Sequence, residues 1–239
     1  MRKKSLIIWV VPVIILVLLV SVTTASGCRP KLYNDGTYKG ISQADDKGYA
    51  VADVTIQRDR ITAVTLKEVT ELGVDKDYAT YPYAPAKEAN VEMAKRFVGK
   101  QDTKGVDAYT GATSSSKKYI EAVNFALEKA RKTPMVKTTY FDGTFYGRSK
   151  SGETGYGVAW VTMKGDKITA VKLDDVTEKG VFKDWVTYPY PKALEAKDAM
   201  EKRFVEKGSA AVDVFSGATT SSTHWMEAVS NALTNARVR

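Results

Sequence analysis

An internal repeat is the feature that most constrains the fold, because a duplicated chain builds the same supersecondary unit twice. Residues 35–40 (DGTYKG) return 107 positions later as residues 142–147 (DGTFYG). Further blocks keep this offset: ITAV at 61–64 and 168–171, TYPY at 80–83 and 187–190, and KRFV at 95–98 and 202–205. The sequence therefore predicts two homologous domains, at residues 33–132 and 140–239, joined by a linker at residues 133–139.

Hydrophobic periodicity predicts strands first and helices last in each copy. Every second residue is directed to one face over residues 52–56 and 62–66, on either side of a turn at residues 58–60, and the second copy repeats this pattern. A period of two is typical of an antiparallel hairpin with one buried face. Helical spacing follows at Ala89, Met93, Phe97 and at Ala196, Met200, Phe204, and then in a closing helix at Ile120, Val123, Leu127, Ala130 and at Met226, Val229, Leu233, Ala236. Each domain is expected to be α+β, an antiparallel sheet covered by helices.

The N-terminal segment has the layout of a secretory signal. Arg2, Lys3 and Lys4 precede an apolar run at residues 6–22, and small residues follow as far as Cys28. This order predicts a signal peptide over residues 1–27. Residues 25–28 (ASGC) resemble a bacterial lipobox, which implies that Cys28 carries lipid and anchors the chain in the cell membrane, on its extracytoplasmic face. The alternative is an uncleaved membrane anchor followed by an ordinary free cysteine.

Charge and metal-ligand counts exclude several classes of function. The formal net charge of +8 falls to about +5 without residues 1–27, which is modest and gives no reason to expect nucleic acid binding. Cys28 is the only cysteine and His224 the only histidine, so neither an internal disulfide nor a zinc or haem site is expected. The sequence also shows no nucleophile-histidine-acid constellation of the kind that hydrolysis uses.

A repeated polar block precedes each closing helix. Residues 107–116 (DAYTGATSSS) and 213–222 (DVFSGATTSS) are identical at six of ten positions. Hydroxyl residues before an amphipathic run are often simple helix caps. The same pattern also suits an anion, because free N–H groups and the helix dipole favour a phosphate there. Neither block contains the lysine of a phosphate-binding P-loop, so nucleotide hydrolysis is not expected.

The block is similar to the acceptor motif of FMN-binding domains, which occur in subunits of sodium-pumping NADH:quinone reductases and related Rnf complexes. In that family a FAD:protein FMN transferase joins FMN through its phosphate to the last threonine of the motif. The resemblance implies two covalent FMN groups, one on Thr113 and one on Thr219. The implied recognition residues are Asp107, Gly111 and Ala112 in the first copy and Asp213, Gly217 and Ala218 in the second.

Together with the lipobox, the doubled motif resembles flavin lipoproteins of extracellular electron transfer. This implies an electron carrier rather than a stand-alone enzyme, with a membrane donor such as a quinone-linked dehydrogenase, the membrane lipid and the transferase as partners. The alternative is a non-redox lipoprotein that binds a cell-surface partner. Six aromatic residues could stack on a flat flavin ring, or alternatively could serve core and turn packing: Tyr78, Tyr81, Tyr83, Trp185, Tyr188 and Tyr190.

Overall fold

The computed structural model describes residues 30–239, so the predicted signal peptide at residues 1–27 and the predicted lipid site at Cys28 lie outside the described residues. The elements follow in the order β1 (Gly36–Ile41), β2 (Tyr49–Gln57), β3 (Arg60–Val69), α1 (Ala84–Lys100), α2 (Thr113–Ala130), β4 (Gly143–Arg148), β5 (Tyr156–Lys164), β6 (Lys167–Val176), α3 (Pro191–Lys207) and α4 (Thr219–Ala236). Within residues 30–239, no helix has the length and apolar character needed to span a membrane.

Each repeat forms a three-stranded antiparallel sheet, with strand order β1-β2-β3 in the first repeat and β4-β5-β6 in the second. The predicted hairpins are confirmed: β2 pairs with β3 and β5 with β6 through two-residue turns. Arg58 and Asp59 both have positive φ in the first turn, and Gly165 and Asp166 do so in the second. Two consecutive positive φ angles match the right-handed twist of the flanking strands, which is why such turns close tight hairpins.

The helices cover one face of each sheet, which confirms the α+β prediction. Helix α2 packs across β1 and β2 while α1 lies along β3, and α4 and α3 repeat this arrangement on the second sheet. The predicted inner faces of α1 and α3 are fully buried at Met93, Phe97, Met200 and Phe204. The core of each repeat therefore lies between its sheet and its helix pair.

The buried stripe of the closing helices differs by one position from the prediction. Ile120 and Met226 are only partly buried, whereas the neighbouring Tyr119 and Trp225 are 0% exposed. Both aromatic side chains carry a polar group that finds a partner inside the core: the Tyr119 hydroxyl lies 2.7 Å from that of Tyr78, and the Trp225 indole N–H donates to the Asp174 carbonyl. Satisfied polar atoms allow the larger rings to fill the core in place of the aliphatic residues.

The two repeats pack against each other, and residues Lys31–Arg239 form one compact unit. Phe125 of α2 stacks on Phe141 of the second repeat, with ring centroids 4.0 Å apart. In the linker, the backbone N–H groups of Met135 and Val136 both donate to one carboxylate oxygen of Glu128. The connection between the repeats is thus fixed by packing and hydrogen bonds as well as by its short length.

Candidate functional site

The repeated polar block forms a tight turn that leads directly into α2 and α4. Gly111 and Gly217 have φ angles of +83° and +84°, a conformation that favours glycine. Ala112 and Ala218 then occupy the N-cap positions, so that Thr113 and Thr219 are the first residues of their helices. Both threonines are exposed.

A buried serine holds each turn in shape. The Ser116 hydroxyl accepts a hydrogen bond from the Tyr109 N–H at 2.9 Å and donates one to the Ala112 carbonyl at 2.8 Å. Ser222 makes the same pair of bonds in the second repeat, to Phe215 and Ala218. Sequence reasoning missed this role because each serine lies among other hydroxyl residues, although the identity of the two copies at this position was a usable signal.

The N termini of α2 and α4 present free N–H groups. Neither helix has a side-chain cap on its first turn, and the first turns carry no acidic residue. The first N–H groups of a helix have no partner within the helix and lie at the positive end of its dipole. An anion placed beside Thr113 or Thr219 would satisfy them, which favours a phosphate group at these positions.

In the second repeat this helix start opens into a cleft of about 770 Å³. Gly217, Ala218 and Thr219 of the block line it together with the predicted aromatic residues Tyr188 and Tyr190. Its other lining residues include Tyr156, Asp175, Glu178, Lys183, Lys192, Ser221 and His224. The structure therefore brings the predicted threonine, its turn and two of the predicted tyrosines into one cavity.

The first repeat has an equivalent cleft of about 430 Å³. Gly111, Ala112, Tyr81 and Tyr83 line it, whereas the exposed Thr113 lies at its edge, between Ala112 and the lining residue Ser114. The lining also includes Lys47, Glu68, Thr70, Glu71, Lys76, Ser115 and Lys118. Both volumes fall within the roughly 300–1,000 Å³ typical of cofactor pockets.

A lysine and a carboxylate form an ion pair in the wall of each cleft. Lys76 lies 2.6 Å from Glu68, and its ammonium group is 4.5 Å from the centre of the Tyr81 ring. Lys183 pairs with Asp175 at 2.5 Å and lies over the Tyr188 ring at 4.3 Å. These ion pairs are not predicted from the sequence. The carboxylates of the two pairs are 107 residues apart in the sequence, as are the lysines, which matches the offset of the repeat.

The polar groups behind the ion pairs differ between the repeats. In the first repeat the Tyr78 hydroxyl donates to Glu68, and burial raises the pKa of the neighbouring Tyr119 hydroxyl to about 12. In the second repeat, Trp185 takes the place of Tyr78 and donates its indole N–H to Asp174, whose pKa is raised by burial. Tyr78 and Trp185 are partly buried, and neither is among the residues lining the clefts.

The aspartates that open each block lie away from the clefts. The Asp107 and Asp213 side chains are exposed, and their backbone carbonyls accept hydrogen bonds from Arg96 and Arg203, each at 2.9 Å. Their described contact is therefore the anchoring of the start of the block to α1 or α3.

The side chains of both clefts fit FMN. Lysine ammonium groups and free helix N–H groups suit its phosphate, while tyrosine rings suit the flat isoalloxazine ring. In the second cleft, Lys183, Lys192 and His224 suit the phosphate, and Tyr188 and Tyr190 suit the ring. The exposed hydroxyls of Thr113 and Thr219 lie where the phosphate end would be held.

A comparison with protein families identifies the domain that each repeat forms. The family model described as "FMN-binding domain" matches residues 47–128 and 151–234, which together make up more than half of the chain. A crystal structure of the CPE2226 protein from Clostridium perfringens is 26% identical over 41% of this chain and 88% of its own, with a TM-score of 0.35. No curated protein matches the chain at a significant level. The chain is therefore a flavoprotein that belongs to the FMN-binding domain family and carries two copies of that domain.

Proposed function

We propose that the protein is a membrane-anchored, extracytoplasmic electron carrier with FMN joined by a phosphodiester bond to Thr113 and to Thr219. The observation that carries this proposal is common to both repeats. In each repeat an exposed threonine is the first residue of a helix that has no side-chain cap. This helix start lies at a cleft whose walls contain a lysine-carboxylate ion pair and two tyrosines.

The chain acts as a substrate for its own flavinylation. A FAD:protein FMN transferase would form the bond between the threonine Oγ and the flavin-side phosphorus of FAD, break the pyrophosphate bond and release AMP, while the hydroxyl proton is lost. Exposure of Thr113 and Thr219 supports this step, because both hydroxyls are accessible to a second protein. The residues of the chain then supply position and electrostatics.

Two sets of groups in the clefts would act on bound FMN. The free N–H groups of the first helical turn and the nearby lysines would neutralise the phosphodiester. The tyrosines would offer flat faces to the ring. When bound, FMN supplies the reversible uptake and release of electrons and protons, which the side chains of the protein do not provide.

Covalent attachment suits a location outside the cytoplasm, where a dissociated cofactor would be lost. Lipidation of Cys28 would hold the two domains at the membrane surface, near a donor such as a quinone-linked dehydrogenase and in reach of an external acceptor. This part of the proposal is supported by the sequence of residues 1–28 alone.

The attachment sites are tested by flavin content under denaturing conditions, after coexpression with the transferase. Thr113→Ala and Thr219→Ala should each lose one of two covalently bound flavins, and the double variant should lose both. Ser114→Ala and Thr220→Ala are matched controls, since each removes a neighbouring exposed hydroxyl. Flavin that stays bound to the denatured double variant would refute the assignment, and colourless wild-type protein would favour the non-redox alternative.

The anchor is tested separately by the intact mass of the membrane-extracted protein. If Cys28 is the lipidated first residue of the mature chain, Cys28→Ala should leave an unprocessed precursor that carries no lipid. A wild-type chain that keeps residues 1–27, or begins after Cys28, would refute the lipid anchor without affecting the flavin sites.

A further inference from the structure

Each cleft has a wall made by the same five-residue turn after the last strand of the sheet. In the first repeat, at residues 70–74, the Gly73 N–H donates to the Thr70 carbonyl and the Thr70 N–H to the Val74 carbonyl, both at 2.9 Å. Residues 177–181 repeat both bonds, at 2.9 and 2.8 Å. The turn glycines also agree, with φ angles of +70° at Gly73 and +73° at Gly180. The two walls therefore have the same internal structure.

Their surroundings are different. Two side chains of the second repeat hold the first turn: the Tyr156 hydroxyl donates to the Leu72 carbonyl at 2.8 Å, and the Arg148 guanidinium donates to the Gly73 carbonyl at 3.1 Å. The corresponding residues of the second turn are exposed, and a Cβ placed on Gly180 would meet no atom of the described chain within 4 Å. Within residues 30–239, only the first turn is held by side chains from outside its own repeat.

Arg148 and Tyr156 also contact each other. The Arg148 guanidinium lies 3.7 Å from the centre of the Tyr156 ring and donates a further hydrogen bond to the Ser151 hydroxyl at 2.7 Å. The position equivalent to Arg148 in the first repeat is Ile41, which has no donor. The first repeat therefore has no matching guanidinium to offer to the turn at residues 177–181.

The held turn belongs to the first cleft. Thr70 and Glu71 line that cleft, and the flanking Glu68 and Lys76 form its ion pair. Tyr156 takes part in both sites, because it lines the second cleft while its hydroxyl holds the wall of the first. Resting on the proposed function, we infer that Arg148 and Tyr156 are positioning residues of the first flavin site, which the second repeat completes.

Hydrogen exchange of the flavin-free full chain tests this inference without any cofactor. After correction for intrinsic rates, peptides covering residues 70–76 should exchange more slowly than those covering residues 177–183. Arg148→Ala and Tyr156→Phe should each speed exchange at residues 70–76 by about two- to tenfold, the effect of one net hydrogen bond. Lys164→Ala is the matched control, because it removes an exposed cation from the end of β5, the strand that begins with Tyr156. It should change exchange neither at residues 70–76 nor at residues 177–183. Unchanged exchange at residues 70–76 in both variants would overturn the inference.

A second measurement separates positioning from general stability. With Thr219→Ala leaving only the first flavin, Arg148→Ala should shift its reduction potential, and Arg148→Lys, which keeps a donor, should restore part of the shift. With Thr113→Ala leaving only the second flavin, Arg148→Ala should cause a smaller shift, because Arg148 does not line that cleft and contacts it only through the Tyr156 ring. Equal shifts at both sites, or none at the first, would refute positioning. Absence of flavin in both backgrounds would instead refute the proposed function, while the exchange result would stand.

Discussion

At the scale of single residues, Ser116 and Ser222 brace the turn that precedes Thr113 and Thr219, the proposed acceptors. Ser116→Ala would leave the Tyr109 N–H without its partner in a place that excludes water. The free energy of unfolding should fall by about 1–3 kcal/mol, the cost of an unsatisfied buried donor. Urea denaturation measures this loss, and Ser114→Ala, at an exposed position of the same turn, should stay within about 0.5 kcal/mol of wild type. Equal effects of the two changes would contradict a bracing role for Ser116.

Asp174 gives a residue-scale prediction about pH. Burial raises its pKa, although hydrogen bonds from the Trp185 indole and the Asp175 N–H act in the opposite direction. Because the folded protein holds this proton more tightly than the unfolded chain, the charged carboxylate lowers the unfolding free energy above the folded-state pKa. Asp174→Asn keeps an acceptor oxygen and should therefore be more stable than wild type at pH 7, with the gain shrinking toward pH 4. Denaturation at the two pH values decides this, and a gain that grows on acidification would be contrary to it.

At the scale of elements, the contact between β1 and α2 depends on a glycine. A Cβ on Gly40 would overlap the Ala122 carbonyl oxygen and crowd the Ala126 nitrogen, so the strand can approach the helix backbone only without a side chain. Gly40→Ala should cost about 1–3 kcal/mol of unfolding free energy, as overpacking does. Gly99→Ala in α1, where a Cβ meets nothing within 4 Å, should instead stabilise by about 0.5–1 kcal/mol. Thermal unfolding compares the two variants, and a neutral Gly40→Ala would show that the strand can move away.

The elements also show which parts of the fold can be predicted from sequence. The hairpins are predictable because alternation with period two directly indicates a half-buried strand. The repeated polar blocks can be recognised because the two copies agree. The buried face of α2 cannot be predicted in this way. Tyr119 is buried in preference to Ile120 because its hydroxyl finds a partner in Tyr78, which is distant in sequence. The contact of Arg148 with Gly73 is equally hidden, because it depends on how the repeats pack.

At the scale of the whole molecule, the two repeats form one unit whose halves are similar but unequal. The first cleft is the smaller, at about 430 Å³ against 770 Å³, and its turn at residues 70–74 is held by the second repeat. The turn of the second cleft is exposed, and the lining residue Tyr190 is 66% exposed. A partner that exchanges electrons by contact therefore has easier access to the second site.

This inequality predicts two different flavin potentials. In the first cleft the Lys118 ammonium group is paired with Asp45 at 2.6 Å, whereas His224 occupies the equivalent position in the second. The wall carboxylates also differ in their hydrogen-bond partners. In the first cleft Glu68 accepts a hydrogen bond from Tyr78, and in the second cleft Asp175 accepts one from Ser221. Different charges and donors near a redox group change the relative free energies of its oxidised and reduced forms.

A reductive titration of the wild-type protein should therefore resolve two waves, and Thr113→Ala and Thr219→Ala should each retain a different one. If the fixed packing of the repeats also lets electrons pass between the flavins, either variant should carry electrons from donor to acceptor at well under half the wild-type rate. Ser114→Ala and Thr220→Ala should keep both waves and the full rate. One shared potential, with each threonine variant keeping half of the rate, would mean that the two domains work as equivalent and independent carriers, and the differences between the clefts would then have no consequence for electron flow.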